Sequence, residues 1–331
     1  MSNTNNRLQI LKVLLRNKNQ TVSGQELSEL IDVSRQAIFK IVKNLREEGL
    51  MINAVKGEGY IFSGFEDDCF SPLLTEALLS EQSVFKKCLY SDTVDSTQKA
   101  LKQMIHDYSD EALVYVSENQ TAGRGRLDRS WEGHPYKDLT FSMLIHPKLK
   151  PSKIQILNLL IGSVIKKLLE RKYKLDCELK WPNDILVNGK KICGILSEAA
   201  CDPDRIYYAI CGVGININTD TYLFSDILKE NATSIKNETG IHVNRSVFLA
   251  DLLNMISDSL LNINTDDDIN KFLDEYRCQC DTLNKNVLVS EDDTDLEGIA
   301  TAITDNGSIV IKTENGEKIF SAADIKHIRK K

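Results

Sequence analysis

The sequence predicts an α+β protein of several domains, and three observations carry that expectation. Helical stripes ending in a hairpin occupy residues 1–63, strands and helices alternate over residues 91–283, and short strands punctuated by Asn-Gly close the chain over residues 284–331. At 331 residues the chain exceeds the ~100–200 residues of one ordinary domain. Hydrophobic residues make up 42% and charged ones 27%, which excludes disordered and fibrous classes. No apolar run reaches the ~18 residues that cross a bilayer; the longest, around residues 154–165, is interrupted by Gln155, Asn158, Gly162 and Ser163. Residues 1–6 are polar and lead straight into an amphipathic segment, unlike a secretory signal. A cytoplasmic protein without membrane contact is expected.

The first module opens with Leu8, Leu11 and Leu15 at helical spacing. Ser23-Gly24-Gln25-Glu26 matches a capping box and starts a short helix with Leu27, Leu30 and Ile31 on one face. Asp32-Val33 supplies a tight turn. Ser34 caps a third helix that runs to about Glu48 and stops at Gly49, with Ile38, Ile41, Val42 and Leu45 as its buried stripe. Arg35, Gln36, Lys40 and Lys43 are left outside. Residues 51–62 read as two strands around Gly57-Glu58-Gly59. Two helices joined by a short turn, the second basic outside, followed by a hairpin, make a winged helix-turn-helix. Its second helix offers donors to base edges and phosphates in a major groove, so Ser34, Arg35, Gln36, Lys40 and Lys43 are candidate DNA-binding residues. Residues 1–63 carry nine Lys/Arg against six acids, net +3, in a chain of net charge −7. A basic module thus rides on an acidic body, which points to a local nucleic-acid contact. A protein-interaction module with a solvated charged face is the competing reading, since a fold does not name its target.

Residues 64–90 mix acids with Ser and Pro around a Leu-rich run at 73–79 and read as a linker entering the next domain. In the body beyond it, strands are expected at 113–117, 139–146, 178–181, 184–187, 192–198 and 206–213, with helices at 97–108, 152–172 and 247–261. Continuous apolar stretches in these strands imply a sheet covered by helices. The eight cysteines are scattered without a Cys-x-x-Cys pair, as suits reduced thiols in a reducing compartment. Cys278 and Cys280 lack a nearby His that would suggest zinc. There is neither a Walker loop nor a Gly-x-Gly-x-x-Gly fingerprint, so a nucleotide would be held by another device.

Four segments stand apart from scaffold. Gln120-Thr121-Ala122-Gly123-Arg124-Gly125-Arg126-Leu127-Asp128-Arg129-Ser130-Trp131 alternates glycine with guanidinium forks suited to phosphate or carboxylate; alone it is a flexible basic loop, and Trp131 a core aromatic. Lys180-Trp181-Pro182-Asn183-Asp184 places turn formers between two strand-like runs. Lys190-Lys191-Ile192-Cys193-Gly194-Ile195-Leu196 opens a buried strand with cations. Gly212-Val213-Gly214-Ile215-Asn216-Ile217-Asn218 ends a strand in glycines that permit close backbone approach, with Asn216 and Asn218 on one face; by itself it reads as an edge or bulge.

Taken together, in this order and with Asp95-Ser96-Thr97, the four motifs resemble the biotin protein ligases. With the N-terminal winged helix, the chain is similar to the bifunctional class that also represses the biotin operon, over essentially its whole length. The resemblance implies activation of biotin by ATP to biotinyl-5′-adenylate and transfer to one lysine of a biotin carboxyl carrier protein. It further implies Mg²⁺ accompanying ATP without a fixed protein site, a homodimer formed on adenylate binding, and operator DNA as a partner. By matching motif, Ser96, Thr97, Gln98 and Gln120 line the biotin pocket; Arg124, Gly125 and Arg126 hold the carboxylate and phosphate. Lys191 stabilises charge at the reacting centre, with Arg126 and Asp184 as its catalytic companions. Asn216 and Trp131 lie near the nucleotide or metal. Leu127-Asp128 departs from members with further Arg and Gly here, and faster leakage of adenylate is expected from it.

At the C-terminus, strands are expected at 286–290, 298–304, 308–313 and 318–321, with Asn306-Gly307 and Asn315-Gly316 as hairpin turns and the acidic run at 291–297 as a solvated loop. This resembles the family's small SH3-like β-barrel. Three rivals stay open: a biotin-sensing repressor without turnover, a lipoate or octanoate ligase, and a ligase without repressor activity.

Overall fold

The computed structural model describes residues 3–65, 70–108, 111–126, 129–291, 294–321 and 323–328. In the first module, helix α1 (Asn3–Arg16) precedes a short strand β1 (Thr21–Val22), helices α2 (Gly24–Ile31) and α3 (Arg35–Glu47), and strands β2 (Leu50–Val55) and β3 (Gly59–Phe65). The Ser23 hydroxyl accepts the Glu26 N–H at 3.0 Å, and the Ser34 hydroxyl accepts that of Ala37 at 3.3 Å, so both helices start at their side-chain caps. Asp32 ends α2 in the left-handed region, φ 51°. The stripe Ile38, Ile41, Val42 and Leu45 is buried as expected. In α1 the fully buried residues are Ile10, Leu11 and Leu14, with Leu8 and Leu15 only packed against the rim. The hairpin gains a third strand, in the order β1-β3-β2. Gly59, at φ 146°, has no room for a side chain, because a Cβ would sit 2.1 Å from the Val22 carbonyl oxygen.

Residues 64–90, read as a linker entering the next domain, carry two regular elements among their described residues, while 66–69 lie outside these. Helix α4 (Pro72–Leu78) is capped by Ser71, and strand β4 (Phe85–Val94) follows it. Leu73 and Leu74 enter the core of the first module, while the Ser71 N–H donates to the Ser246 hydroxyl at 2.8 Å and the Thr75 hydroxyl to the Ser246 carbonyl at 3.3 Å. A seven-residue helix shows too few turns for a periodic pattern to stand out among flanking acids.

The body continues with α5 (Thr97–Met104), β5 (Ala112–Gln120), β6 (Leu139–Ile145), α6 (Gln155–Tyr173), β7 (Cys177–Lys180), β8 (Asp184–Val187), β9 (Lys190–Cys201) and β10 (Ile206–Ile215). Helices α7 (Asp226–Lys229), α8 (Ile235–Thr239), α9 (Arg245–Asn262) and α10 (Asp266–Gln279) complete it. The seven-stranded sheet runs β4-β5-β6-β10-β9-β8-β7, antiparallel except between β4 and β5. Its two faces alternate along each strand. Val114 and Val116 pack with α6 and α9 in the main core, whereas Leu113 and Tyr115 pack with Leu101 of α5. α5 is shorter than the expected 97–108, and α10, set by a Thr265/Asp268 capping box, was not anticipated.

Strands β11 (Asn286–Glu291), β12 (Thr294–Ile303), β13 (Ile309–Thr313), β14 (Gly316–Phe320) and β15 (Asp324–His327) form a five-stranded antiparallel sheet ordered β14-β13-β12-β11-β15. Of the acidic run, residues 292–293 lie outside the described residues, and the described part is strand rather than loop: Glu297 pairs with Leu288 and Leu296 with Val289. Among the described residues the edge strands β14 and β15 do not pair, and the sheet does not close into the expected barrel.

Candidate active site

A cavity of about 400 Å³ opens on the α5 face of the central sheet. Its inner wall begins where α5 starts. The Gln120 Oε1 accepts the Thr97 N–H at 2.8 Å and lies 3.1 Å from the Thr97 hydroxyl, which in turn meets the Ser142 hydroxyl at 2.7 Å. Gln98 Nε2 donates to the Leu196 carbonyl at 2.9 Å. Ser96, Thr97 and Gln98 are all buried. This wall is neutral, polar and fixed by hydrogen bonds between strands distant in sequence.

The Arg/Gly segment, which continues from Gln120, lines the same cavity. The Gly125 N–H donates to the Arg129 carbonyl at 2.6 Å and the Trp131 N–H to the Gly123 carbonyl at 3.1 Å, closing the segment into an arch. Arg124 pairs with Glu198 at 2.9 Å, and Arg126 reaches the Asn183 Oδ1 at 3.4 Å. Gly125 and Arg129 also line the cavity. Leu127 and Asp128 lie outside the described residues.

Trp131 lies flat against β10. A Cβ on Gly214 would be 2.2 Å from the indole Cε2, and one on Gly212 would be 3.0 Å from the Gln98 side chain. This is why the strand carries Gly-x-Gly. The edge or bulge reading of that motif is overturned, because β10 is paired on both sides, with β6 and β9, through an unbroken register at these glycines. The Trp131 Nε1 is buried without a hydrogen-bond partner.

At the mouth of β9, the Lys191 ammonium sits 2.7 Å from the Asp184 Oδ1 and 5.7 Å from the centroid of the Trp131 ring. The Lys191 backbone is clamped on both sides: its N–H donates to the Asn231 carbonyl at 2.7 Å, and its carbonyl accepts the Thr233 N–H at 3.0 Å. Residues 221–232 thereby hang over the cavity, contributing Phe224, Leu228, Asn231 and Ala232. His134 tethers this strap. Its Nδ1 lies 3.3 Å from the Asp138 carboxylate and its Nε2 2.9 Å from the Leu223 carbonyl. The hydrogen bond to Asp138 raises the His134 pKa above its usual 6.5, opposed by partial burial and aided by the Leu223 carbonyl.

Beneath the cavity the supports are buried. Asn218 exchanges two hydrogen bonds with the Val243 backbone at 2.9 Å each, so it is a strut rather than a ligand. Asn216 donates to the Thr233 carbonyl at 2.9 Å, while its Oδ1 is buried without a partner and the residue lines the cavity. Arg245 makes a bidentate pair with Glu118 at 2.6 and 3.0 Å, both side chains under 4% exposed. Trp181 donates from Nε1 to the Gly307 carbonyl at 2.9 Å and from its N–H to the Thr282 hydroxyl at 3.0 Å, anchoring the C-terminal sheet to the 180–184 turn.

The structure thus gathers every sequence-predicted pocket residue, Ser96, Thr97, Gln98, Gln120, Arg124, Gly125, Arg126, Trp131, Asp184, Lys191 and Asn216, around one cavity. Ser34, Arg35, Gln36, Lys40 and Lys43 form a separate group on and before α3. Sequence reasoning missed Arg129 and Asn183 as lining residues, although both lie inside the motifs already singled out. It missed the 221–232 strap altogether, for that segment carries no motif.

A neutral hydrogen-bonding wall, a cationic arch and an ammonium line one cavity, a lining suited to a ligand that carries both neutral polar and anionic groups. Comparison with known proteins makes this specific. Residues 90–216 match the biotin/lipoate A/B protein ligase family, residues 6–61 an HTH domain, and residues 282–327 the biotin protein ligase C-terminal domain. The bifunctional ligase/repressor BirA of Bacillus subtilis is 30% identical over 93% of this chain and 94% of its own length. That of Escherichia coli is 24% identical over 92% of each. The biotin protein ligase from Aquifex aeolicus, solved in complex with biotin and ATP, superimposes with a TM-score of 0.64 at 28% identity, covering 74% of this chain and all of that one. The chain belongs to the bifunctional ligase/repressor family of biotin protein ligases.

Proposed function

We propose that this protein joins biotin to ATP, forming biotinyl-5′-adenylate and pyrophosphate, then passes the biotinyl group to one lysine of a biotin carboxyl carrier protein. We propose also that its N-terminal module represses biotin genes. The observation that carries the ligase reading is Lys191, beside Asp184 and Trp131 and lining the same cavity as the Arg124–Arg126 arch. In the first step a carboxylate oxygen bonds the α-phosphorus, and the bond to the bridging oxygen of pyrophosphate breaks. Two anions meet there, so the arch guanidiniums and the Lys191 ammonium neutralise the approach and the charge that grows on the phosphorus oxygens. Ser96, Thr97, Gln98 and Gln120 orient the ring end of biotin through their fixed polar atoms. In the second step the carrier amine attacks the acyl carbon, the bond to the phosphate oxygen breaks, and AMP leaves. Asp184 is the nearby carboxylate that receives the amine's hydrogen. Residues 221–232 and Trp131 keep water from the anhydride meanwhile.

Mg²⁺ supplies charge neutralisation on the triphosphate when bound. The buried, unpartnered Oδ1 of Asn216 fits a hard cation that takes most of its oxygens from phosphate and water. Among the described residues no cluster of three or more His, Cys, Asp or Glu offers a protein cage for a metal ion. The C-terminal sheet, read as the family's SH3-like unit, fixes the 180–184 turn through Trp181 and so positions Asp184.

In the repressor arm, adenylate formation favours a cytoplasmic homodimer whose paired α3 helices present Ser34, Arg35, Gln36, Lys40 and Lys43 to successive major grooves of operator DNA. Incubation with biotin, MgATP and a carrier domain tests the ligase. A biotinyl mass gain on the carrier is expected, lost by roughly 10²–10³-fold in rate with Lys191→Ala. A mutant that labels the carrier as fast as the parent would remove Lys191 from the chemistry.

A further inference from the structure

The outer face of α3 carries one side chain that neither charge nor capping explains. Phe39 is 59% exposed and is not among the residues packed on the core of its module. Helical spacing sets it one turn after Arg35 and one turn before Lys43, with Gln36 and Lys40 alongside. A phenyl ring therefore stands in the middle of a face otherwise built of hydrogen-bond donors. Arg35 leans the other way, donating to the Gln25 Oε1 of α2 at 2.8 Å, and the Ser34 hydroxyl is engaged in capping.

The partner of this face is set by its charge. Lys40 and Lys43 share this helix face with the ring, and residues 1–63 are net positive within an acidic chain, which suits a polyanion. On the floor of a major groove, one base edge presents an apolar group: thymine, through its C5-methyl. We propose that Phe39 is a specificity-determining residue that packs on a thymine methyl in each operator half-site, while Gln36, Lys40 and Lys43 supply the polar and phosphate contacts. This rests on the repressor reading above and adds to it a base preference at one position.

The test uses the full chain with biotin and MgATP to select duplexes from a randomised pool. Affinity for a selected duplex is then compared with that for copies in which single thymines are replaced by deoxyuridine, which removes the methyl and keeps every hydrogen bond. At one thymine per half-site the loss should be roughly fourfold per methyl, the worth of one buried methylene-sized group. Phe39→Ala should bind the parent duplex more weakly and be indifferent to that same replacement; its thermal unfolding, matched to the parent, shows that the module is intact. Full affinity for every deoxyuridine copy, or an equal loss in Phe39→Ala, overturns the proposal. A change in oligomeric state of Phe39→Ala without any methyl dependence assigns the ring to a second copy of the chain and overturns it as well. A pool from which no duplex is enriched sinks the repressor reading, and the proposal with it.

Discussion

The cavity and the outer face of α3 are built in opposite ways. The cavity draws its lining from segments around 96–98, 120–132, 140–141, 180–196, 212–216 and 224–232, and holds several of its polar side chains by hydrogen bonds or ion pairs to other segments. The α3 face comes from one continuous helix whose core is satisfied by a single apolar stripe, leaving its outward residues to whatever lies outside. A site that must stabilise developing charge gains from such preorganisation. A surface that reads a charged polymer needs mainly the right groups at the right helical spacing. Damage should therefore spread from the cavity into stability and stay local on α3.

The sharpest break of that comparison lies under the cavity. Arg245→Met leaves the Glu118 carboxylate buried and uncompensated, which should cost about 3–5 kcal/mol, read as a large fall in the midpoint of denaturant unfolding. Little change would mean the pair is not what fixes α9 to the sheet. Next comes Gly214→Ala. Its Cβ must displace the Trp131 indole, and at roughly 1–3 kcal/mol for overpacking biotinyl-adenylate should bind about tenfold or more weakly, while DNA affinity without ligand is unchanged. Calorimetry with a non-hydrolysable adenylate analogue would read it, and unaltered binding would show that the indole is free to move.

On α3 the expected effect is smaller and of another kind. Lys43→Ala should weaken DNA binding almost equally for all sequences and lower the slope of log affinity against log salt by about one, with unfolding and carrier labelling unaffected. A change confined to one DNA sequence would make Lys43 a base reader instead. The smallest effect is the pH dependence of the strap. The folded pKa of His134 is raised, so the contribution of its tether is complete below the ordinary histidine value of 6.5 and fades as pH rises through the elevated one. The groups facing the ring are Asp138, Glu132, the Leu223 carbonyl and the edge of Phe224. Adenylate should leak faster as pH rises through that window. His134→Gln should flatten the profile, and an unchanged profile would place the pH sensitivity elsewhere.

The same contrast explains what was legible in the sequence. The winged helix could be read from caps and one stripe because each signal is local: Ser34, Ile38, Ile41, Val42 and Leu45 suffice for α3. The cavity was legible only as a set. Gly212 and Gly214 look like an edge until Gln98 is set against the first and Trp131, some eighty residues earlier, is laid across the second. Lys191 looks like a solvated strand end until Asp184 and Trp131 are in place. What stayed hidden has a physical reason too. The strap at 221–232 works through backbone carbonyls and scattered apolar contacts, and the connector α4 is too short for its periodicity to register. The Glu118–Arg245 pair joins residues 127 apart, a separation no spacing rule spans.

The central claim, that the arch and Lys191 serve to form an acyl-adenylate and retain it, is most directly tested without any carrier present. Mixing the protein with biotin and MgATP and following pyrophosphate should give a biotin-dependent burst of about one equivalent per chain followed by near-silence, because a preorganised, water-excluding site holds its intermediate. Pyrophosphate release that does not depend on biotin, or none at all from protein that binds both substrates, would contradict the account.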